Sequence, residues 1–505
     1  MTVKGTEQRV QQYLGIPFAR PPVGPLRLAA PQPAEPWEGE RDGTRQPHMC
    51  IQDPVISQHI VNVMAIEYDL PDVSEDCLYL NVYTPKEAAT VKRLPVFFWI
   101  HGGGLSMGAA SQYDASPLAA YQNMVVVVIQ YRLGILGFLS TGDEHAPGNW
   151  GFLDQIAALK WVQENIESFG GDPQSVTIAG ESAGGISASI LTLSPLAKGL
   201  FHRAIFQSGV ATLGTYTSKE PLVIAKVVAN LTECDYTTNE QLVKCIREKT
   251  EEDLVNATKK MKTFMGATVD GVFLKDLAEE LLKSKAVEKV PVLLGVTNHE
   301  FGWILPSVMG LEHTGALKLV YLHNANSAIC ISVAFQASGL NKLIADEYFK
   351  DAKTPEDIRD GFTEMLGDLF MVLPVIKVAG YHRDAGAPVY MYEFQHRPEM
   401  HKETRPSFVK SDHADDIGFM FGSFTEEEKK LCKTMMAYWA NFARTGSPNG
   451  EELILWPLYD QKEEYMELGL KQVVAQSLKK DKVHFMTVLL PQKLHSLAAA
   501  ASQGN

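Results

Sequence analysis

Ser175-Val176-Thr177-Ile178-Ala179-Gly180-Glu181-Ser182-Ala183-Gly184-Gly185 is the stretch on which the reading of the fold turns. Ser175–Ala179 reads as a buried strand, and a helix of small residues begins directly after it, from about Ala183. Gly180 and Gly184 relieve crowding in the sharp turn between them, which leaves Ser182 on strained backbone at the start of the helix. That is the arrangement of a nucleophile elbow. Gly185 and Ala188 keep the helix slim. Its N-terminus favours negative charge developing nearby.

The G-x-S-x-G pattern occurs a second time, at Gly104-Leu105-Ser106-Met107-Gly108. Context separates the two copies. Gly108-Ala109-Ala110-Ser111 begins no apolar-periodic helix, so Ser106 lacks the strand-turn-helix setting that exposes a nucleophile. The segment has another use. His101-Gly102-Gly103-Gly104 follows the strand Pro95–Ile100, where a second contributor to an oxyanion hole is expected. Without Cβ atoms, consecutive glycines can turn their N–H groups inward together. Gly103, Gly104 and Ala183 are therefore the predicted oxyanion donors. A phosphate-binding loop is the competing reading, but the Lys-Ser/Thr ending of a P-loop is missing.

Outward from this stretch, apolar runs alternate with helical patterns. Pro95–Ile100, Met124–Gln130, Ser175–Ala179, Pro291–Val296 and Val389–Phe394 read as strands. Asp154–Ser168 reads as an amphipathic helix stopped by Gly170-Gly171-Asp172-Pro173. Leu340–Phe349 and Glu356–Leu373 are helical. Thr425–Arg444 is predicted as a helix opened by a Thr425/Glu428 capping box, with Leu431, Met435, Tyr438 and Phe442 as its core stripe. The first residues, to about Trp37, are rich in Pro and Gly and are expected to wrap over the surface. Alternating strands and helices over this length predict an α/β fold with a large, mostly parallel central sheet and helices on both faces.

An elbow of this kind takes its partners in the order Ser, acid, His. Two histidines compete for the base. His396 ends the strand Val389–Phe394, whereas His413 lies in the loop Ser411-Asp412-His413-Ala414-Asp415-Asp416. A base on a loop can reach the nucleophile, which favours His413. The strand Pro291–Val296 runs into Thr297-Asn298-His299-Glu300, making Glu300 the natural acid, with a solvated loop carboxylate as the alternative.

Bulk properties exclude other classes. The 505 residues are 45% hydrophobic with a formal net charge of -14, which speaks against nucleic acid and anionic membranes as main partners. No apolar run approaches the roughly 20 residues of a membrane span. The start Met1-Thr2-Val3-Lys4-Gly5 carries no signal-peptide core, consistent with a cytosolic protein or a mature chain without its leader. None of the six cysteines forms a C-x-x-C pair, so no metal site is read. Cys330 and Cys432 read as buried thiols. Sequons at Asn230 and Asn256 are glycosylation candidates that add to a secretory reading.

Ser74-Glu75-Asp76-Cys77-Leu78-Tyr79-Leu80-Asn81-Val82-Tyr83 and Gly171-Asp172-Pro173…Gly180-Glu181-Ser182-Ala183-Gly184-Gly185 resemble the two signatures of type-B carboxylesterases. The likeness extends over nearly the whole chain, including Tyr13–Pro17, Asn298–Trp303 and Tyr438–Ala443. Within the family it is closest to mammalian carboxylesterases, the intestinal carboxylesterase 2 type especially. The resemblance implies one α/β-hydrolase domain over residues 1–505, with helical insertions around a gorge. It assigns Ser182, Glu300 and His413 as the triad and makes His396 a strand-end residue. It implies disulfides Cys50–Cys77 and Cys234–Cys245, and buried ion pairs Arg27–Glu75 and Arg132–Asp172.

Hydrolysis of small-molecule carboxylic esters follows from it. No cofactor is expected, and a monomer or weak homo-oligomer is. The expected location is the secretory pathway, either the endoplasmic reticulum lumen or outside the cell, since Ser502-Gln503-Gly504-Asn505 is no HxEL-type retention signal. Two further departures from the family stand out: the chain begins inside the usual first strands, and the Phe421–Thr425 link is short. The rival readings are a cholinesterase-like enzyme, which an aromatic gorge for quaternary ammonium would mark, and a non-catalytic adhesion protein, which usually lacks the nucleophile.

Overall fold

The computed structural model describes residues 6, 8–63, 70–86, 93–261, 263–308, 338–422 and 425–503. The apolar runs form the middle of a ten-stranded sheet. Its strands are β1 (Val10–Pro17), β2 (Tyr79–Pro85), β3 (Leu94–Ile100), β4 (Val125–Ile129), β5 (Gly171–Glu181), β6 (Arg203–Gln207), β9 (Val292–Thr297), β10 (Val389–Phe394), β11 (Glu464–Leu468) and β12 (Gln472–Gln476). The two-residue strands β7 (Thr217–Ser218) and β8 (Ala267–Thr268) pair separately. The order in the large sheet is β1-β2-β4-β3-β5-β6-β9-β10-β11-β12. From β4 to β11 neighbours run parallel, while β1, β2 and β12 pair antiparallel at the edges.

Helices cover both faces, so the central strands are buried on both sides. Alternate side chains of β3 feed two separate cores. Val96, Phe98 and Ile100 join Ile178, Leu159 and Ile186 on one face. Phe97 and Trp99 join Met435, Trp439 and Phe442 of the helix Lys429–Thr445 on the other. This period-two division is what a continuous apolar strand provides.

Several boundaries differ from expectation. The segment Val10–Pro17 does not wrap over the surface; it pairs with β2 and extends the sheet, with a register shift between Tyr13 and Ile16. The helix expected from Asp154 starts at Trp150, after Asn149 adopts left-handed backbone at φ 64. Gly171-Asp172-Pro173 lies inside β5, and only Gly170, at φ 83, ends the preceding turn. The helix expected from Thr425 starts at Lys429, because the Glu428 side chain accepts hydrogen bonds from both the N–H and the hydroxyl of Thr425, forming a turn there.

The long helical stretch Pro355–Gly367 passes through a π-turn, Asp368–Val372, into Leu373–Asp384. Pro374 sits just inside the second half. Proline lacks an N–H and its ring crowds the preceding turn, which a π-turn relieves. The same sequence of events recurs at Phe485–Leu489, before Pro491.

Cys50–Cys77 and Cys234–Cys245 form disulfides, and Cys432 is a buried thiol bonded to the Phe419 carbonyl. Cys330, and Ser423 and Phe424 of the short link, lie outside the described residues. Arg27 pairs with Glu75 in the interior. Arg132 does not pair with Asp172. Its guanidinium grips Asp154, at 2.8 and 2.7 Å, because Asp154 lies on the buried face of the helix Trp150–Asn165. Asp172 instead accepts the Gln174 N–H at 2.9 Å, at the exposed start of β5. Asn230 and Asn256 are exposed on helices. Among the described residues no helix is long and apolar enough to cross a membrane.

Candidate active site

β5 ends at Glu181 and the helix Ala183–Leu191 begins one residue later, which leaves a single residue for the turn. Ser182 therefore takes φ 54, ψ -123, a conformation that a residue with a Cβ rarely adopts. Two hydrogen bonds hold it there. Its N–H donates to the Gln207 carbonyl at 2.8 Å, and its carbonyl accepts from Ile186 N–H at 2.9 Å. Three glycines make room. A Cβ on Gly184 would fall on the Ile100 carbonyl oxygen, one on Gly180 against the Gly184 carbonyl group, and one on Gly209 on the Ser182 carbonyl oxygen.

The glycine run after β3 lies against this turn. A Cβ at Gly102 would stand 3.2 Å from Ser182 Cβ. Gly103 and Gly104 take φ 102 and 62. The Gly103 carbonyl accepts from the N–H groups of Ser106 and Met107, closing the loop. Among the described residues, the N–H groups of Gly103, Gly104 and Ala183 donate to no acceptor. Ser106 is engaged elsewhere: its hydroxyl donates to the Gly104 carbonyl at 3.0 Å, and no helix follows directly.

Glu300 and His413, on loops after β9 and β10, come together although 113 residues separate them. His413 Nδ1 lies 2.6 Å from Glu300 Oε2, and the other carboxylate oxygen accepts from Thr297 N–H at 2.7 Å and the Ser208 hydroxyl at 2.6 Å. The carboxylate oxygen facing Nδ1 accepts a hydrogen bond from the ring there, so neutral His413 carries its lone pair on Nε2. Nε2 has no hydrogen-bond partner among the described residues and lies 3.0 Å from Oε1 of Glu181, the residue before Ser182 in the chain. His396 is turned away. Its Nε2 is 2.9 Å from Glu428, which also accepts the Glu399 N–H.

The charge environment is unusual. Burial lowers the His413 pKa, while the facing Glu181, Glu300 and Asp412 carboxyl groups push it upward. Burial raises the Glu181 carboxyl to about 8, against the pull of His413 and with Asp416 and Glu300 adding to it. Asp416, also raised by burial, accepts from Gln207 at 2.9 Å and from the Tyr392 hydroxyl at 2.6 Å. The direction for Glu181 is protonation near neutral pH, since a second buried anion beside one imidazole is poorly compensated.

Glu181, Ser208, Gln207 and Asp416 were not singled out from sequence. Ser208 directly follows β6, and nothing local signals that its φ of 48 aims the hydroxyl at Glu300. A polar cavity of about 450 Å³ lies behind Glu300, lined by Asp368, Glu393 and Lys479, and does not include Ser182. No group of His, Cys, Asp and Glu suited to a metal ion occurs among the described residues.

A strand-turn-helix elbow on a mostly parallel sheet, with helices packed on both faces, is the α/β-hydrolase fold. The carboxylesterase family model matches residues 1–486, and the chain belongs to that family. It is 50% identical to the medium-chain fatty acyl-CoA hydrolase precursor of Anas platyrhynchos, covering 97% of this chain and 90% of the relative. Identity to the cocaine esterase of Homo sapiens is 47%, covering 98% and 90%. Identity to carboxylesterase 5A of Canis lupus familiaris is 48%, covering 97% and 87%. The protein is a carboxylic ester hydrolase.

Proposed function

We propose that the protein cleaves esters in two steps through Ser182, His413 and Glu300. The observation that carries this reading is the 2.6 Å Glu300–His413 contact, with Nε2 of that imidazole 3.0 Å from Glu181, the residue before the strained Ser182. His413 Nε2 takes the Ser182 proton as Oγ bonds to the ester carbonyl carbon. The negative charge on the carbonyl oxygen is met by the N–H groups of Gly103, Gly104 and Ala183, each such donor contributing about 3 kcal/mol. Collapse breaks the carbon–oxygen bond to the alcohol, which leaves with the proton held by His413. Water then repeats the sequence on the acyl-enzyme and releases the acid.

Glu300 fixes the imidazole and offsets its charge. The substrates proposed are xenobiotic esters and acylglycerols, with small acyl and bulky alcohol groups. Relatives named as cocaine esterase and fatty acyl-CoA hydrolase support breadth of this kind. The two disulfides and the exposed Asn230 and Asn256 support a secretory location with glycosylation at these positions.

A fluorophosphonate probe followed by mass spectrometry tests the nucleophile. One adduct on Ser182, absent in Ser182→Ala, is expected. Labelling of Ser106, or of nothing in the folded protein, refutes the assignment. On a p-nitrophenyl ester, His413→Ala should abolish turnover and His396→Ala should not.

A further inference from the structure

The base and the acid of the proposed triad stand on separate loops, so something must hold those loops in register. Their backbones meet in a short parallel bridge between His299 and Asp412. Ser411 N–H donates to Asn298 at 3.1 Å and Lys410 N–H to His299 at 3.1 Å. The fully buried Asp412 carboxylate adds the link that reaches past both residues. One oxygen accepts from the N–H of His413 itself at 2.9 Å and of Trp303 at 3.2 Å; the other accepts from Ile304 N–H at 2.8 Å.

Burial raises the Asp412 pKa, but all three partners are donors and, with Arg405, favour the ionised carboxylate. Its charge is answered by Arg405, 3.8 Å away and itself buried, which binds both oxygens of Asp415 at 2.7 and 3.0 Å. Asp415 in turn accepts the Asp412 N–H at 2.7 Å. One side chain thus ties the backbone of the base to the segment three and four residues beyond the acid.

We infer that Asp412 is a positioning residue for ester hydrolysis: it sets the register of His413 against Glu300 and supplies fixed negative charge beside the imidazolium that forms in each step. The inference rests on the triad reading above. The charged and titratable groups facing His413 are Glu181 from the end of β5, Glu300 from the loop after β9, Asp412 from its own loop and Asp416 from the helix Asp415–Phe421 that follows. Arg405 faces Asp412. Removing the Asp412 charge should make the imidazolium less stable, so the His413 pKa falls. A misplacement of the base by a fraction of an ångström lowers the rate without altering how the ester is held.

The test compares Asp412→Asn with Asp412→Glu in the full chain, with folding checked by circular dichroism. Both variants should lose at least 10-fold in kcat on a p-nitrophenyl ester, with KM within about 2-fold of wild type. The acid limb of the kcat/KM profile should move to lower pH in Asp412→Asn and stay in place in Asp412→Glu, which keeps the charge. A merely structural role would lower active enzyme without moving that limb. Wild-type kcat and an unmoved limb in Asp412→Asn overturn the inference, as does wild-type kcat in Asp412→Glu if the Asn variant does not fold. Fluorophosphonate labelling separates the two levels. Labelling of wild type that persists in Ser182→Ala refutes the triad itself, whereas labelling lost in Ser182→Ala with unaffected Asp412 variants refutes only the positioning role.

Discussion

Adding one methyl group at neighbouring glycines of the β3 loop should give opposite results. At Gly103 a Cβ would sit on the carbonyl oxygen of Met107, far inside the 3.0 Å that real Cβ contacts keep, and the φ of 102 is strained for any L side chain. The obstacle is backbone, so the loop must move. A shift of roughly 1 Å carries the N–H out of range of an oxyanion, and loss of one such donor costs about 3 kcal/mol of transition-state stabilisation, a 10²–10³-fold drop in kcat.

At Gly104 the φ of 62 is ordinary left-handed backbone, and the nearest atom, at 3.0 Å, is Cε1 of the exposed Phe264 ring. That ring can swing aside. Gly104→Ala should lose about 1–2 kcal/mol of stability, as expected for a left-handed L residue, and keep kcat within about 10-fold. Steady-state kcat and KM on p-nitrophenyl acetate, with thermal unfolding on the same preparations, measure both effects. If Gly104→Ala loses more turnover than Gly103→Ala, or Gly103→Ala keeps kcat within about 3-fold of wild type, the assignment of this loop to the oxyanion is wrong.

Three other perturbations follow from buried charges. Asp154→Asn should destabilise the protein by about 3–5 kcal/mol in urea unfolding, because it strands the buried Arg132, while Asp172→Asn should have no measurable effect. His382 is buried with neither ring nitrogen bonded among the described residues, and burial lowers its pKa to about 4. The unfolded state therefore binds its proton first as pH falls. The stability of wild type should decline relative to His382→Phe between pH 6.5 and 4, and parallel unfolding curves above and below that window check it. Glu181 has the opposite sign. With its pKa raised to about 8, the folded protein keeps a proton that the unfolded chain releases, so wild type should lose stability relative to Glu181→Gln as pH rises from about 4.5 to 8.

The parallel middle of the sheet was legible because strands buried on both faces must be apolar throughout, as Val125–Ile129 is. The edges were not. β1 carries Gln11, Gln12 and Gly15, and β12 has three exposed residues in five, so neither has an apolar signature. β6 is short and starts with Arg203. The partner of Arg132 was not legible, because a resemblance names residues without their spacing in three dimensions. Asp154 sits among Trp150, Ala158 and Leu159 on the buried face of its helix, and a lone acid on an apolar face was the available sign. At the site, Ser182, Glu300 and His413 could be proposed from order and context. Glu181, Ser208 and Asp416 could not, because their relation to His413 arises only when β5, β6 and the loop after β10 meet.

The backbone at Ser182 has a consequence for anyone trying to make this enzyme sturdier. Its φ and ψ suit a residue without a side chain, and strain of this kind is worth about 1–3 kcal/mol. Ser182→Ala keeps the Cβ and gains nothing, but Ser182→Gly should be more stable than wild type by roughly 1 kcal/mol after the entropy of glycine is counted. A library sorted only for resistance to heat or protease would drift towards glycine at this position and discard the proposed nucleophile. Selection for durability in this chain has to be coupled, round by round, to selection for turnover.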